Sequence, residues 1–295
     1  MALARAVVKA PGLQFLQALA VDNEDYADGT DEPGPDLPAD ADENAAPYHA
    51  LLRFPHFASV RRLRIGVADG VVDEPFPDTE NCHTEGSLAH HFVKQMPNVE
   101  EIVLRAHRVE GAKLFALPMP NLRVLVMDHA KRYPFEKLAE NKTVTKLTHI
   151  VCHPHALDDD SDDDGDDGES GVKAYIRLKH LRAICRAGWP LEFLRLRLTD
   201  FGDAGAKEIA ASGVLKTLKV LDLNSGCITE VGAATLAACP DLKRLDVLSL
   251  YENAIHGDGG KVLQAAFPGV KLGEQHNEVP PFGDQIDYLY HGDIE

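Results

Sequence analysis

The chain has 295 residues, 44% hydrophobic and 26% charged, with a formal net charge of −17. That length accommodates one long repeat stack or two ordinary domains, with enough apolar residues for a sizeable core. No apolar run is long enough to cross a bilayer, and the acidic balance argues against nucleic acid as the main ligand.

In chain order, residues 1 to 19 read as a capping helix, because one early arginine is followed by no clean apolar core with a small-residue cleavage site. Strand-like apolar triplets, each spaced i, i+3, i+5, then follow: Leu16/Leu19/Val21, Val60/Leu63/Ile65, Val99/Ile102/Leu104, Leu122/Leu125/Met127 and Leu147/Ile150/Cys152. Between them, residues 45 to 52, 86 to 96, 134 to 141 and 172 to 187 read as helices or turns. The last has Ile176, Leu178, Leu181 and Ile184 at helical spacing.

The charge is local. Residues 22 to 43 hold ten Asp or Glu and no Lys or Arg; 69 to 85 hold six and none; 158 to 169 hold nine and none. The remainder is net positive. Each acidic insertion begins just after a strand, which predicts that all three share one rim of a stack.

From Leu191 the pattern becomes regular, with an interval of 27 residues. Leu191, Leu194 and Leu196 recur as Leu218, Leu221 and Leu223 and as Leu245, Leu248 and Leu250. An apolar residue follows (Phe201, Ile228, Ile255), then a glycine (Gly205, Gly232, Gly259), then another apolar residue (Ile209, Leu236, Leu263). Self-similarity with a period in the twenties is the signature of units that bury their apolar edges by stacking on one another. Leu248 and Leu250 alternate as in a strand, Asn253 ends it by bonding nearby backbone, and G-x-x-x-L opens a short helix. Val270 and Leu272 predict a ninth short strand.

This pattern resembles the leucine-rich repeat, L-x-x-L-x-L-x-x-N-x-L, and its helical half is most similar to the ribonuclease-inhibitor-like branch. Thr199 and Gly226 stand where the family asparagine is expected in the first two regular units. The resemblance implies an α/β fold: a solenoid with a curved parallel sheet on the concave side and short helices and turns on the convex side. It also implies protein binding. On this reading, 1–273 form a single domain of about eight or nine repeats, and 274–295 form a C-terminal cap or tail over the last repeat. The five cysteines are odd in number and form no paired cluster at either end, which favours a reducing cytoplasm.

Asp160-x-Asp162-x-Asp164-Gly165 matches the first half of an EF-hand loop, but Gly171 stands where a bidentate Glu is needed, so the segment reads as a solvated acidic loop. His149, Cys152, His153 and His155 do not converge in the strand phase assigned. His149 and His153 with Asp128 leave a surface site as an alternative, a divalent-ion-responsive regulator using this cluster and the acidic loop. No catalytic motif stands in a suitable strand-to-helix context, and no cofactor or resident metal is expected.

Functional information falls on the outward side chains of the strands. One column includes Arg105, Asp128, His153, Arg197, Asn224 and Tyr251, a second Arg64 and Arg195, and a third Arg62, His149 and Phe193; Glu252 follows Tyr251. Arg and Tyr are enriched in binding hot spots, and Phe193 beside Arg195 and Arg197 is expected to be exposed. These twelve residues are the candidate binding face of a monomeric, non-enzymatic interaction protein. Its acidic rim would favour a basic protein partner.

Overall fold

The computed structural model describes residues 15–21, 50–66, 84–155, 174–276 and 289. Residues 1–14 of the predicted N-terminal cap, the insertions at 22–43 and 158–169 and nearly all of that at 69–85 lie outside the described residues; residues 18 and 19, at the end of that expected cap, lie in a strand and not a helix. The chain divides into two units, one through Leu147 and one from Thr148.

In the first unit, β1 (Ala18–Val21), β2 (Arg62–Ile65), β3 (Glu101–Arg105) and β4 (Val124–Asp128) pair in parallel, in chain order. The register aligns Leu19, Leu63, Ile102 and Leu125, so equivalent triplet positions are neighbours. Strand alternation sends Leu63, Ile65, Ile102, Leu104, Leu125 and Met127 to one face, where all are fully buried. Three short helices follow in the connections: α1 (Ala89–Lys94), α2 (Gly111–Phe115) and α3 (Phe135–Glu140). They bury Phe92, Phe115 and Phe135, and the last two rings stack at 6.0 Å. Helix α2 was not foreseen; the interval there leaves room for a single turn.

The second unit repeats the scheme with β5 (His149–His153), β6 (Phe193–Leu196), β7 (Val220–Asp222) and β8 (Val247–Ser249). Its helices are α4 (Leu178–Arg186), α5 (Gly202–Ser212), α6 (Glu230–Ala237) and α7 (Gly259–Ala266). Leu194, Leu221 and Leu248 lie in register, which is the 27-residue period expressed as adjacency. Burying each such leucine stabilises the stack by about 2 kcal/mol.

The periodic glycines have a packing reason. A Cβ on Gly232 would lie 2.4 Å from Oδ1 of Asp203, and one on Gly259 would lie 2.5 Å from Cβ of Glu230, so only glycine lets each helix sit this close to the preceding one. Asp203 uses that closeness. Its Oδ1 accepts from the backbone N–H groups of Thr229 (2.8 Å) and Gly232 (2.9 Å), and its Oδ2 accepts from the Thr229 hydroxyl, capping α6 from the neighbouring helix.

The asparagine position also does what its chemistry predicts. Asn253 donates through Nδ2 to the carbonyl of Leu223 (2.8 Å) and accepts at Oδ1 from the N–H of Ile228 (3.0 Å). A Cβ on Gly226 would stand 2.8 Å from that Oδ1, so the missing side chain at 226 makes room for Asn253. Gln275 performs the same task one unit later, donating to the carbonyl of Leu250 (2.8 Å) and accepting from Ile255 N–H (3.0 Å). The ninth strand expected at Val270 and Leu272 is reduced to a single parallel bridge, Ser249 to Lys271.

One helix expectation needs correction. The helix at 172–187 begins only at Leu178, because Ile176 pairs as a bridge with Thr199 and Arg177 is extended. In the segment at 45–52, read as helix or turn, the described part is a 3-10 turn, Ala50–Arg53, and residues 45–49 lie outside the described residues.

Candidate functional site

The outward face of the second unit is tied together from rung to rung. The period that stacks the leucines also aligns the alternate residues: His149 with Phe193 and Val220, then Val151 with Arg195, Asp222 and Ser249. The His149 and Phe193 rings stack with centroids 5.6 Å apart and planes 15° from parallel. The Arg195 guanidinium lies 5.3 Å from the Phe193 centroid, a cation over an aromatic face. Nε of Arg195 donates to Oδ2 of Asp222 at 2.8 Å, and Nη2 of Arg197 donates to the same oxygen at 3.3 Å.

The row continues toward the C-terminus. The other Asp222 oxygen accepts from the Asn224 N–H (3.1 Å), and the Asn224 side-chain carbonyl accepts from the Ser249 hydroxyl (2.8 Å) and the Tyr251 N–H (2.9 Å). The Ser225 hydroxyl donates to Glu252 at 2.6 Å. The Tyr251 ring lies against Gly273, where a Cβ would overlap it, and the side chain is 41% exposed. Glu252 beside it is also exposed.

This geometry corrects one expectation. Phe193 and Arg195 are buried, at 8% and 7% exposure. Rungs this close let the His149 ring and the Arg195 guanidinium cover Phe193, while Asp222 neutralises Arg195 and takes it out of solvent. Asp222, Ser249 and Ser225 belong to the network although the sequence reading did not single them out. The signal was present: Asp222 follows Arg195 by one full period, so opposite charges had to meet across adjacent strands.

In the first unit the columns are aligned as expected, with Arg62 beside Glu101, Arg64 beside Val103, and Arg105 beside Asp128. Arg64 donates to Glu101 at 3.1 Å, and Arg62 is exposed. Asp128 is buried at 3% exposure, and its Oδ1 accepts from the N–H of His129. Val103 and Val126 on the same face are buried too. Thus of the twelve candidates Asp128, Phe193 and Arg195 are buried, His149, His153, Arg64, Arg105, Arg197 and Asn224 are half-buried, and Arg62, Tyr251 and Glu252 are exposed.

Two titratable groups are strongly perturbed, both in or beside α4. Burial, then the charges of Lys179 and Arg177, lowers His180 to about 4; its Nδ1 accepts from the Arg177 N–H at 3.0 Å, capping the helix. Burial raises the Cys185 thiol to about 11, which leaves it protonated and unreactive. Among the described residues no group of three or more His, Cys, Asp or Glu side chains is placed to hold a metal ion, and no helix is long and apolar enough to cross a membrane.

Among the described residues, parallel strands in chain order alternate with helices in each unit, an α/β repeat arrangement, and in the second unit a side-chain ladder links the rungs on the outward face. Residues 190–210 and 214–237 match the family model described as Leucine Rich repeat, so this stretch of the chain carries leucine-rich repeats. No curated protein matches it. Among solved structures, a protein from Bacteroides fragilis is similar over 76% of this chain and 60% of its own, at 16% identity and a TM-score of 0.48. The present chain therefore spans about 60% of that protein's length.

Proposed function

We propose that this protein is a non-catalytic, monomeric, cytoplasmic interaction module of the ribonuclease-inhibitor-like type. It takes a protein partner on the sheet face opposite the leucine core, and its acidic insertions favour a basic partner. Leucine-rich repeats as a class point to protein binding. The observation that carries the finer reading is the fixed row from Arg197 through Asp222 and Asn224 to Tyr251. Hydrogen bonds hold the side chains of Arg197, Asp222 and Asn224 and the backbone N–H of Tyr251, whose ring lies against Gly273, so little conformational entropy remains to be lost on binding. Tyr251 and Glu252 at its end combine an exposed aromatic ring with an exposed carboxylate. The G-x-x-x-L segments of α6 and α7, with G-x-x-x-I at the same repeat position in α5, support the assignment to that branch.

The test uses cross-linking capture from the native host with wild type, Tyr251→Ala and Arg197→Glu. A partner seated on this face is captured about 30-fold less by each variant, as for an interface hot spot, with melting temperatures little changed. A partner captured equally by all three binds elsewhere.

A further inference from the structure

Helix α6 departs from its two neighbours in the repeat. Its outward positions, spaced i, i+3, i+4 and i+7, hold Val231, Ala234, Thr235 and Ala238, and none of them is charged. One period earlier α5 carries Ala204, Lys207, Glu208 and Ala211; one period later α7 carries Asp258, Lys261, Val262 and Ala265. The repeat therefore tolerates charges on this face, and α6 does without them. Thr235 adds little polarity, because its hydroxyl donates to the Val231 carbonyl of its own helix at 2.8 Å. On the inward side Ala233 and Leu236 are fully buried. A helix apolar on both sides is normally enclosed, yet Val231 is 61% exposed and Val262 on the adjacent helix is 46% exposed.

The charges beside this stripe are asymmetric. On the α5 side Lys207 is exposed, and Arg182 and Arg186 lean from α4 onto Glu208, at 3.4 and 3.0 Å. The Glu208 side chain is 15% exposed, and Asp203, the other acid of α5, is spent on the N-terminus of α6. Lys207 and the two arginines thus outnumber the carboxylate they surround, so this border is net positive. On the α7 side the balance tips the other way: Glu230 lies against Gly259, and Asp258 pairs with Lys261 at 2.8 Å.

We propose that the groove between α5 and α6 docks an amphipathic helix of a partner protein, one whose apolar stripe is edged on one side by Asp or Glu. The apolar stripe packs on Val231, Ala234 and Ala238, and the acidic edge meets Lys207, Arg182 and Arg186. Shape favours a helix over a membrane surface. Helices that lie in a bilayer interface bury Trp, Phe or Leu in it, whereas valine, alanine and threonine make a shallow floor that lets two helix axes approach to about 8 Å. The mode is that of a helix laid in a groove, with apolar anchors and charged edges that set its direction. This surface shares no residue with the sheet face discussed above, so either assignment can fail without the other.

The experiment is fluorescence anisotropy of three labelled, helix-forming synthetic peptides titrated with the full-length chain. All three carry the same stripe of leucine and alanine, and the positions along one edge of it are glutamate, glutamine or lysine. The glutamate peptide binds at least about tenfold more tightly than the glutamine peptide, the lysine peptide does not bind, and the difference shrinks as salt is raised. Ala234→Gln, an exposed change to a good helix former, fills the floor and weakens the glutamate peptide about tenfold without lowering the melting temperature. Lys207→Glu lowers affinity for the glutamate peptide and raises it for the lysine peptide, while Arg197→Glu on the sheet face changes neither. No binding of the glutamate peptide, equal binding of all three, unchanged binding after Ala234→Gln, or binding lost in Arg197→Glu would each overturn the proposal. So would anionic phospholipid vesicles that bind wild type and not Ala234→Gln, which would place a membrane on this surface. A wild-type dimer in light scattering that is lost in Ala234→Gln would place a second copy there and overturn it likewise.

Discussion

Arg195 and Asp222 are 27 residues apart in sequence and 2.8 Å apart in the fold, both nearly out of solvent. A buried pair contributes little net stability over apolar side chains, but removing one member strands the other. Arg195→Glu therefore costs about 3–5 kcal/mol, measured by urea unfolding, and adding Asp222→Arg recovers part of it. For that reason Arg197 and Tyr251, not Arg195, are the informative positions for partner binding. His180 gives a pH dependence whose sign is fixed. Its folded value, about 4, lies below the unfolded 6.5, so between these values the unfolded chain binds more protons. Stability is complete above pH 6.5 and is lost as the pH falls through 4, by roughly 3 kcal/mol in all. His180→Asn, which keeps an acceptor for the Arg177 N–H, flattens this slope in urea titrations between pH 7 and 4.5.

Among the elements, the connections between regular units show how one side chain serves two of them. Asp203 belongs to α5 but satisfies the first turn of α6, through three hydrogen bonds to one carboxylate. Asp203→Ala costs about 2 kcal/mol by thermal unfolding, at the upper end for a lost helix cap. Gly226→Ala pushes a methyl into Asn253 Oδ1 and disturbs the bond to Ile228, so hydrogen exchange at the Ile228 amide speeds up well before the Leu194 amide responds. The periodic glycines and Asn253 were visible in the sequence because repetition marks them. Asp203 and Gln275 were not: each acts where the repeat is locally irregular, and only proximity reveals what it bonds. Gln275 could have been found by asking what satisfies Ile255 N–H once the repeats end.

For the molecule as a whole, the acidic insertions bear on the proposed partner through long-range electrostatics. Replacing Asp158, Asp159 and Asp160 with Asn slows association with a basic partner at low salt and leaves the rate unchanged near 1 M salt, where the Debye length is about 3 Å. Stopped-flow association rates across ionic strength check this. The sequence by itself determined the class, the strand positions and the alignment of columns, because a fixed period and strand alternation are one-dimensional properties that translate directly into register. Arg62, Tyr251 and Glu252 were accordingly placed on the face and are exposed. Only the tertiary structure decided which outward side chains are withdrawn from solvent, as Phe193, Arg195 and Asp128 are, and that Leu289 meets Leu198. Burial depends on what neighbouring side chains cover in three dimensions, and a contact between residues 91 positions apart obeys no period.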